Sequence, residues 1–225
     1  MRARTSHSRF LRSPRVLAAA FALFSLASLA LSSRAAADPA PRTRTTVVLV
    51  PLGTNSREVN AAVAAALSER LQVAVKMHEP VAMPKEAFYP PRGRYRAEKI
   101  LAFLDGIADG EPAGTRVLGL TEDDISTTKG KVKDWGVFGL GEIGRRNCVL
   151  SLFRLKRGAK GPAHLLRRVT SVATHEVGHT LGLPHCPNAG CVMQDAEGSI
   201  KNTDEGDGTL CGNCRATIDR LVPIH

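Results

Sequence analysis

The chain reads as an α/β (α+β) protein: a mixed twisted sheet with helices, followed by a small irregular cysteine-rich part. Three observations predict this. Short β-branched apolar runs alternate with stretches of helical periodicity between residues 45 and 181. No internal repeat is visible across that alternation. Beyond residue 181 the periodic pattern gives way to cysteine and glycine until a short helical stretch near residues 212–222.

The first 37 residues stand apart from this domain. Arg2, Arg4, Arg9, Arg12 and Arg15 precede an apolar run from Val16 to Leu31, and Ala35-Ala36-Ala37 closes the segment. Positive, apolar and small residues in that order describe a secretory signal peptide, cleaved between Ala37 and Asp38. The apolar run is 16 residues long, short of the ~20 that span a bilayer. Export to the periplasm or the medium is therefore expected, with no stable membrane association once the segment is removed. The remaining residues 38–225 are read as one domain, with an upper α/β part at 45–182 and a lower cysteine-rich part at 183–225.

Charge follows from the same division. The formal charge is +10, from 31 basic and 21 acidic residues, but six of the arginines lie within residues 1–37, where there are no acids. The mature chain keeps 25 basic residues against 21 acids, a net +4. One Trp and two Tyr offer no stacking platform, and no basic stripe is interleaved with aromatics, so nucleic acid is excluded as a partner. A monomer acting on peptides or proteins is expected.

Residues 38–45 are Pro-rich and polar, a lead-in. The run 45–53 (TTVVLVPLG) is a buried strand closed by Pro and Gly. Residues 56–72 form a helix with Ser56 as N-cap and Val59, Val63, Ala66, Leu67 and Leu71 at helical spacing. A second strand covers 73–77. Pro80, Pro84, Pro90 and Pro91 mark a loop before a helix at 94–108. A third strand spans 115–125, and 136–143 with 147–153 form a strand pair whose first member is Gly-rich and reads as an exposed edge. Residues 165–181 form one long helix.

That helix carries the chemistry. His175 and His179 are four residues apart, so on a helix they share one face and can grip one zinc ion. Glu176 lies beside the first of them, where it can reach the metal's water without being a ligand and take its proton during attack on a carbonyl. A bare His-Glu-x-x-His also arises by chance on an amphipathic helix. Gly182 and His185 weaken that alternative: Gly182 can adopt the left-handed conformation that ends a helix, and His185 is then carried back as a third ligand. Three protein ligands and one open position make a catalytic zinc site.

HEVGHTLGLPH (175–185) resembles the extended zinc signature of the metzincin metallopeptidases at every fixed position, and Met193 in CVMQD resembles their Met-turn beneath the metal. Cys186, Cys191, Cys211 and Cys214, at their spacings from His185 and Met193, are similar to the archaemetzincin family over residues 175–214. LGLTEDDI, GVFGLGEI and SLFRL extend the resemblance loosely upstream. The resemblance implies a metzincin-like zincin fold, a twisted sheet above the cleft and a cysteine-held part below. It also implies two zinc ions per chain, one catalytic and one structural on the four cysteines.

The spacing of the cysteines in two short pairs suits a tetrahedral four-sulfur zinc site. Archaemetzincins are regarded as intracellular, however, whereas this chain opens with an export signal. Oxidising compartments favour disulfides, and both states stay open at this stage. The alternative function is an exported zinc- or disulfide-stabilised binding module without catalysis, a role that gives no use to Glu176. Cys148 reads as a buried small hydrophobe, His78, His164 and His225 as structural or solvated, and the acidic run 204–208 as a solvated loop without the spacing of a calcium loop.

Overall fold

The computed structural model describes residues 45–221. The signal segment at 1–37 and His225 lie outside the described residues. Nine strands and five α-helices follow one another along this stretch: β1 (Thr46–Leu52), α1 (Arg57–Leu71), β2 (Ala74–Met77), β3 (Phe88–Tyr89), β4 (Arg94–Arg96), α2 (Ala97–Asp109), β5 (Arg116–Thr121), β6 (Ile125–Lys129), β7 (Val132–Gly136), β8 (Gly139–Gly141), β9 (Asn147–Ser151), α3 (Pro162–Thr180), α4 (Lys201–Glu205) and α5 (Gly212–Leu221).

The main sheet has the order β2-β1-β5-β9-β8. Its first four strands are parallel, and β8 runs antiparallel to β9 at one edge. The two-residue period of a strand explains the layers. Val47 and Leu49 of β1, with Cys148 and Leu150 of β9, face α1 and α3. Val48 and Val50, with Val149, face α2 on the other side. A sheet covered on both faces needs near-continuous apolar strands, which is what VVLV and NCVLS supply.

The expected helices form. Ser56 caps α1 through its hydroxyl, which accepts from the Val59 amide at 3.5 Å. α3 begins at Pro162, three residues before the expected start. Proline suits the first helical position, where its missing N–H is not needed. From Arg168 onward almost every residue of α3 is buried, because the helix runs beneath the sheet and above the irregular C-terminal segment. Cys148 is fully buried, as expected of a small hydrophobe.

A second sheet, β3-β4-β6-β7, was not expected. The strand read over 115–125 is two strands of different sheets, β5 and β6, parted at Glu122–Asp124. The strand read over 136–143 is likewise the end of β7 and the three-residue β8. The helix read over 94–108 starts at Ala97, because Arg94–Arg96 pair with β3 and β6. These strands are short and polar. Arg–Asp pairs rather than an apolar stripe hold them: Arg94 lies 3.3 Å from Asp124 and 3.6 Å from Asp134. The acidic run at 204–208 is also more than a solvated loop, since Asp204 on α4 accepts two bonds from the buried Arg168, both at 2.7 Å.

Candidate metal and catalytic centre

One turn of α3 separates His175 from His179, and their Nε2 atoms lie 3.0 Å apart. The Nδ1 of His175 faces the Val192 carbonyl at 2.8 Å, and that of His179 faces the Leu183 carbonyl at 2.7 Å. A carbonyl only accepts, so each Nδ1 carries the hydrogen and each Nε2 turns a lone pair inward. Burial, followed by the neighbouring His179, pushes the His175 imidazole down to about 4 and keeps it neutral. Burial lowers His179 as well. Two lone pairs aimed at one another need a cation between them. Two nitrogens at ~2.05 Å from a tetrahedral zinc would stand roughly 3.3 Å apart, close to the spacing found.

The third histidine arrives by the expected turn. Gly182 has φ +103°, and α3 closes with the amide of Gly182 donating to the His179 carbonyl at 2.9 Å. The chain reverses there and brings the His185 ring to 4.8 Å from His179 and 5.3 Å from His175, centroid to centroid. His185 is half exposed, and its Nδ1 lies 3.5 Å from Asp195. One ring nitrogen from each histidine falls within a 4.8 Å cluster. Met193 is fully buried beneath them, and its sulfur occupies the space that a side chain on Gly178 would need, 2.6 Å from the position of a Cβ.

Glu176, the next residue along the helix, turns toward β8 and lines the same cleft as the histidines. It is 8% exposed. Burial raises its carboxyl to about 8, and the Gly141 backbone amide, which donates to it, pulls the other way. The approach is close because β8 has no side chain there: a Cβ on Gly139 would stand 2.6 Å from the Glu176 Cγ and Oε1. Gly139 and Gly141 leave room for Glu176, and Gly178 for Met193, contacts that sequence reasoning missed. Only Gly178 had a local signal, lying within the histidine signature itself.

The four cysteines also converge. Their sulfurs lie within 4.8 Å of one another, and those of Cys186 and Cys211 are 3.7 Å apart. A four-sulfur zinc with bonds of ~2.3 Å has edges of roughly 3.8 Å. Amides converge on the same sulfurs, as they do on thiolates: Cys191 accepts from the Cys211 amide at 3.4 Å, and Cys211 accepts from the Asn188 side chain at 3.2 Å. The Cys214 backbone amide, then Asn188, lower the Cys211 thiol to about 6. Burial raises Cys191 and Cys214. The donor set fits zinc at both places.

The histidines and Glu176 open on a cleft of about 610 Å³ between β8 above and the segment after Met193 below. This chain is similar in sequence and structure to proteins of one family. The family model described as Peptidase family M54 matches residues 47–220. The archaemetzincin of Haloarcula marismortui is 32% identical over 179 residues, covering 76% of this chain and 98% of that protein. The crystal structure of archaemetzincin from Methanopyrus kandleri superposes with a TM-score of 0.67 at 30% identity, covering 79% of this chain and 94% of that one. That from Archaeoglobus fulgidus, complexed with malonate, gives 0.63 at 29% identity, covering 76% and 99%. A mixed sheet carried over a helix with a three-histidine cluster, together with this match along most of its length, places the chain in the archaemetzincin family of zinc metallopeptidases, Peptidase family M54.

Proposed function

We propose that this zinc metallopeptidase holds its catalytic ion on His175, His179 and His185, uses Glu176 as the proton carrier, and binds a second, structural zinc on Cys186, Cys191, Cys211 and Cys214. The observation that carries the first part is the pair of neutral imidazoles whose Nε2 lone pairs converge at 3.0 Å, each locked by a carbonyl on its Nδ1. Zinc bound there lowers the pKa of water to about 7 and polarises a carbonyl.

The chain's own residues supply the rest. Glu176 is buried beside the histidines at the cleft, and a carboxyl so placed can take and give a proton. The Gly141 amide orients it, so the carboxylate receives a proton on the attack side and hands it to the leaving amine. The free edge of β8 accepts the substrate backbone by strand addition. Met193 packs under the ligands and fixes their height.

Two sulfur pairs from separate segments, a loop and the start of α5, with amides donating to them, support a closed four-sulfur site in preference to two disulfides. We further propose that residues 1–37 direct export and that the mature chain begins at Asp38. No helix among the described residues is long and apolar enough to cross a membrane.

Metal content per chain and hydrolysis of a quenched peptide library, with and without chelator, test the reading. Two zinc ions and chelator-sensitive cleavage are expected. One zinc with a mass four hydrogens lighter would replace the sulfur site by disulfides. N-terminal sequencing of the natively produced protein tests export, and a soluble cytosolic form starting at Met1 would remove it.

A further inference from the structure

The two ends of the cleft differ in charge and in closure. β8 runs antiparallel to β9, so a peptide added antiparallel to β8 runs in the direction of β9. Its C-terminal side therefore points toward the segment that leaves β9, residues 152–157.

That end is cationic. Arg154 and Arg157 both line the cleft. Arg154 gives Nε and Nη2 to Asp124 at 2.7 and 3.0 Å, leaving Nη1 without a protein acceptor among the described residues. Arg157 forms no ion pair among the described residues, yet its backbone is held. Arg168, on α3, donates from Nη1 to the carbonyls of Leu155 at 2.8 Å and Arg157 at 2.7 Å. Behind them a second cavity is lined by Arg92, Arg94, Arg154 and Arg157 with only Asp124 and Asp134 as acids, so the wall carries surplus positive charge.

Ser171, one helical turn before His175, is 4% exposed, and its hydroxyl has no hydrogen-bond partner among the described residues. It lines the same cleft, with its Oγ close against Gly208.

The cleft is bridged at this end as well. Trp135 on β7 reaches the lower wall and touches Gly198, where a Cβ would stand 3.0 Å from the ring. Lys129, from the adjoining strand β6, lies over the same ring at 5.4 Å. The hairpin of β6 and β7 thus joins the upper and lower walls, which leaves little room for a long chain to continue past it.

Resting on the peptidase reading, we propose that the C-terminal end of the cleft is a carboxylate pocket. Arg157 and Nη1 of Arg154 hold a carboxylate of the substrate on the leaving side of the scissile bond. The bridge makes the chain-terminal carboxylate the favoured source, so the enzyme trims peptides from their C-terminal ends. An acidic side chain is the other source of the same group.

Binding decides this without turnover. Trp135 is the only tryptophan in the chain and sits at the cleft, so its fluorescence reports occupancy, with calorimetry as the second reading. The full-length zinc-loaded Glu176→Gln protein is titrated with an alanine tetrapeptide as free acid, with its C-terminal amide, and with an amide carrying one Glu. The free acid should bind about 10-fold tighter than the plain amide, and Arg157→Gln should cut that ratio below about 3-fold, because charge-assisted bonds are roughly twice as strong as neutral ones. Tight binding of the Glu-containing amide alone would keep the carboxylate pocket and overturn end trimming. Equal binding of all three, or none, would overturn the pocket. Failure of the wild type to cleave any peptide while the acid still binds would instead count against the peptidase reading.

Discussion

His185 and Cys186 are neighbours in the chain, yet they belong to two sites built by opposite means. The histidine site hangs on α3, and each of the two helical imidazoles is pinned at its far nitrogen by a backbone carbonyl. The helix and its core packing place the two rings on one face. The cysteine site joins an irregular loop, with Cys186 and Cys191, to the start of α5, with Cys211 and Cys214, and its sulfurs sit partly inside the core cluster. A metal bound there would contribute to folding, whereas a metal bound on the histidines would contribute chemistry. The contrast teaches that neighbouring ligands can be read separately: one site largely by helical periodicity, the other by paired spacing and the convergence of distant segments.

The largest expected effect breaks the comparison at its cysteine side. Cys214 anchors α5 and is buried. Cys214→Ser should lower unfolding stability by about 4–5 kcal/mol or more, since the lower segment loses a ligand that closes its fold. His185→Ala should weaken metal retention under a chelator while shifting the melting temperature far less. Thermal unfolding and chelator titration of both variants measure the difference. Equal shifts in melting temperature would mean that the two sites play the same structural part.

Next in size is Glu176→Ala. Loss of the proton carrier should lower kcat/KM by ~10²–10⁴-fold with zinc content unchanged. A variant that cleaves as fast as its parent would remove Glu176 from the mechanism.

Gly139→Ala sharpens the same point from the opposite strand. The added Cβ would stand 2.6 Å from the Glu176 carboxylate, so the carboxylate or β8 must move. Small displacements of a catalytic group cost up to ~10²-fold, and a fall of roughly 10- to 100-fold in kcat is expected, again with full metal. Unchanged kcat would show that Glu176 does not depend on its place against β8.

What the sequence disclosed tracks how local each signal is. β1, α1 and α3 were legible because an apolar run and a 3.6-residue period are properties of adjacent residues. His175, His179 and Gly182 were legible for the same reason, since a helix and its terminating turn fix where they point. The cysteines were half legible: their spacing indicated a shared site and left its redox state open. Gly139 and Gly141 were not legible as supports of Glu176, because that contact spans from β8 to α3. The sheet of β3, β4, β6 and β7 escaped because Arg94, Asp124 and Asp134 hold it through charge, which leaves no periodic trace. Met193 was expected beneath the metal, but its packing against Gly178 is visible only when the chain is folded.

The smallest effect concerns the joint between the two halves. Arg168 on α3 is 3% exposed and is satisfied by Asp204 of α4, which is 30% exposed, and by the carbonyls of Leu155 and Arg157. His164 adds a bond to Asp204 at 2.9 Å: its Nδ1 accepts from the Lys160 amide, so its Nε2 carries the hydrogen and donates. Asp204→Asn leaves a buried guanidinium facing a neutral amide. The cost should be about 2 kcal/mol, below the ~3–5 of a fully buried pair because Asp204 keeps contact with water. The Arg168 hydrogen bond, more than any other influence, lowers the Asp204 carboxyl from 3.8 to about 2. A carboxyl whose folded value is depressed stabilises the fold above its unfolded value and loses that contribution as pH falls toward the folded one. The gap between wild type and Asp204→Asn should therefore be full at pH 7, begin to close below about pH 4, and narrow steadily toward pH 2. Denaturant unfolding of both proteins at pH 7, 4 and 3 measures it, and a gap that stays constant down to pH 3 would mean that Asp204 acts by shape rather than by charge.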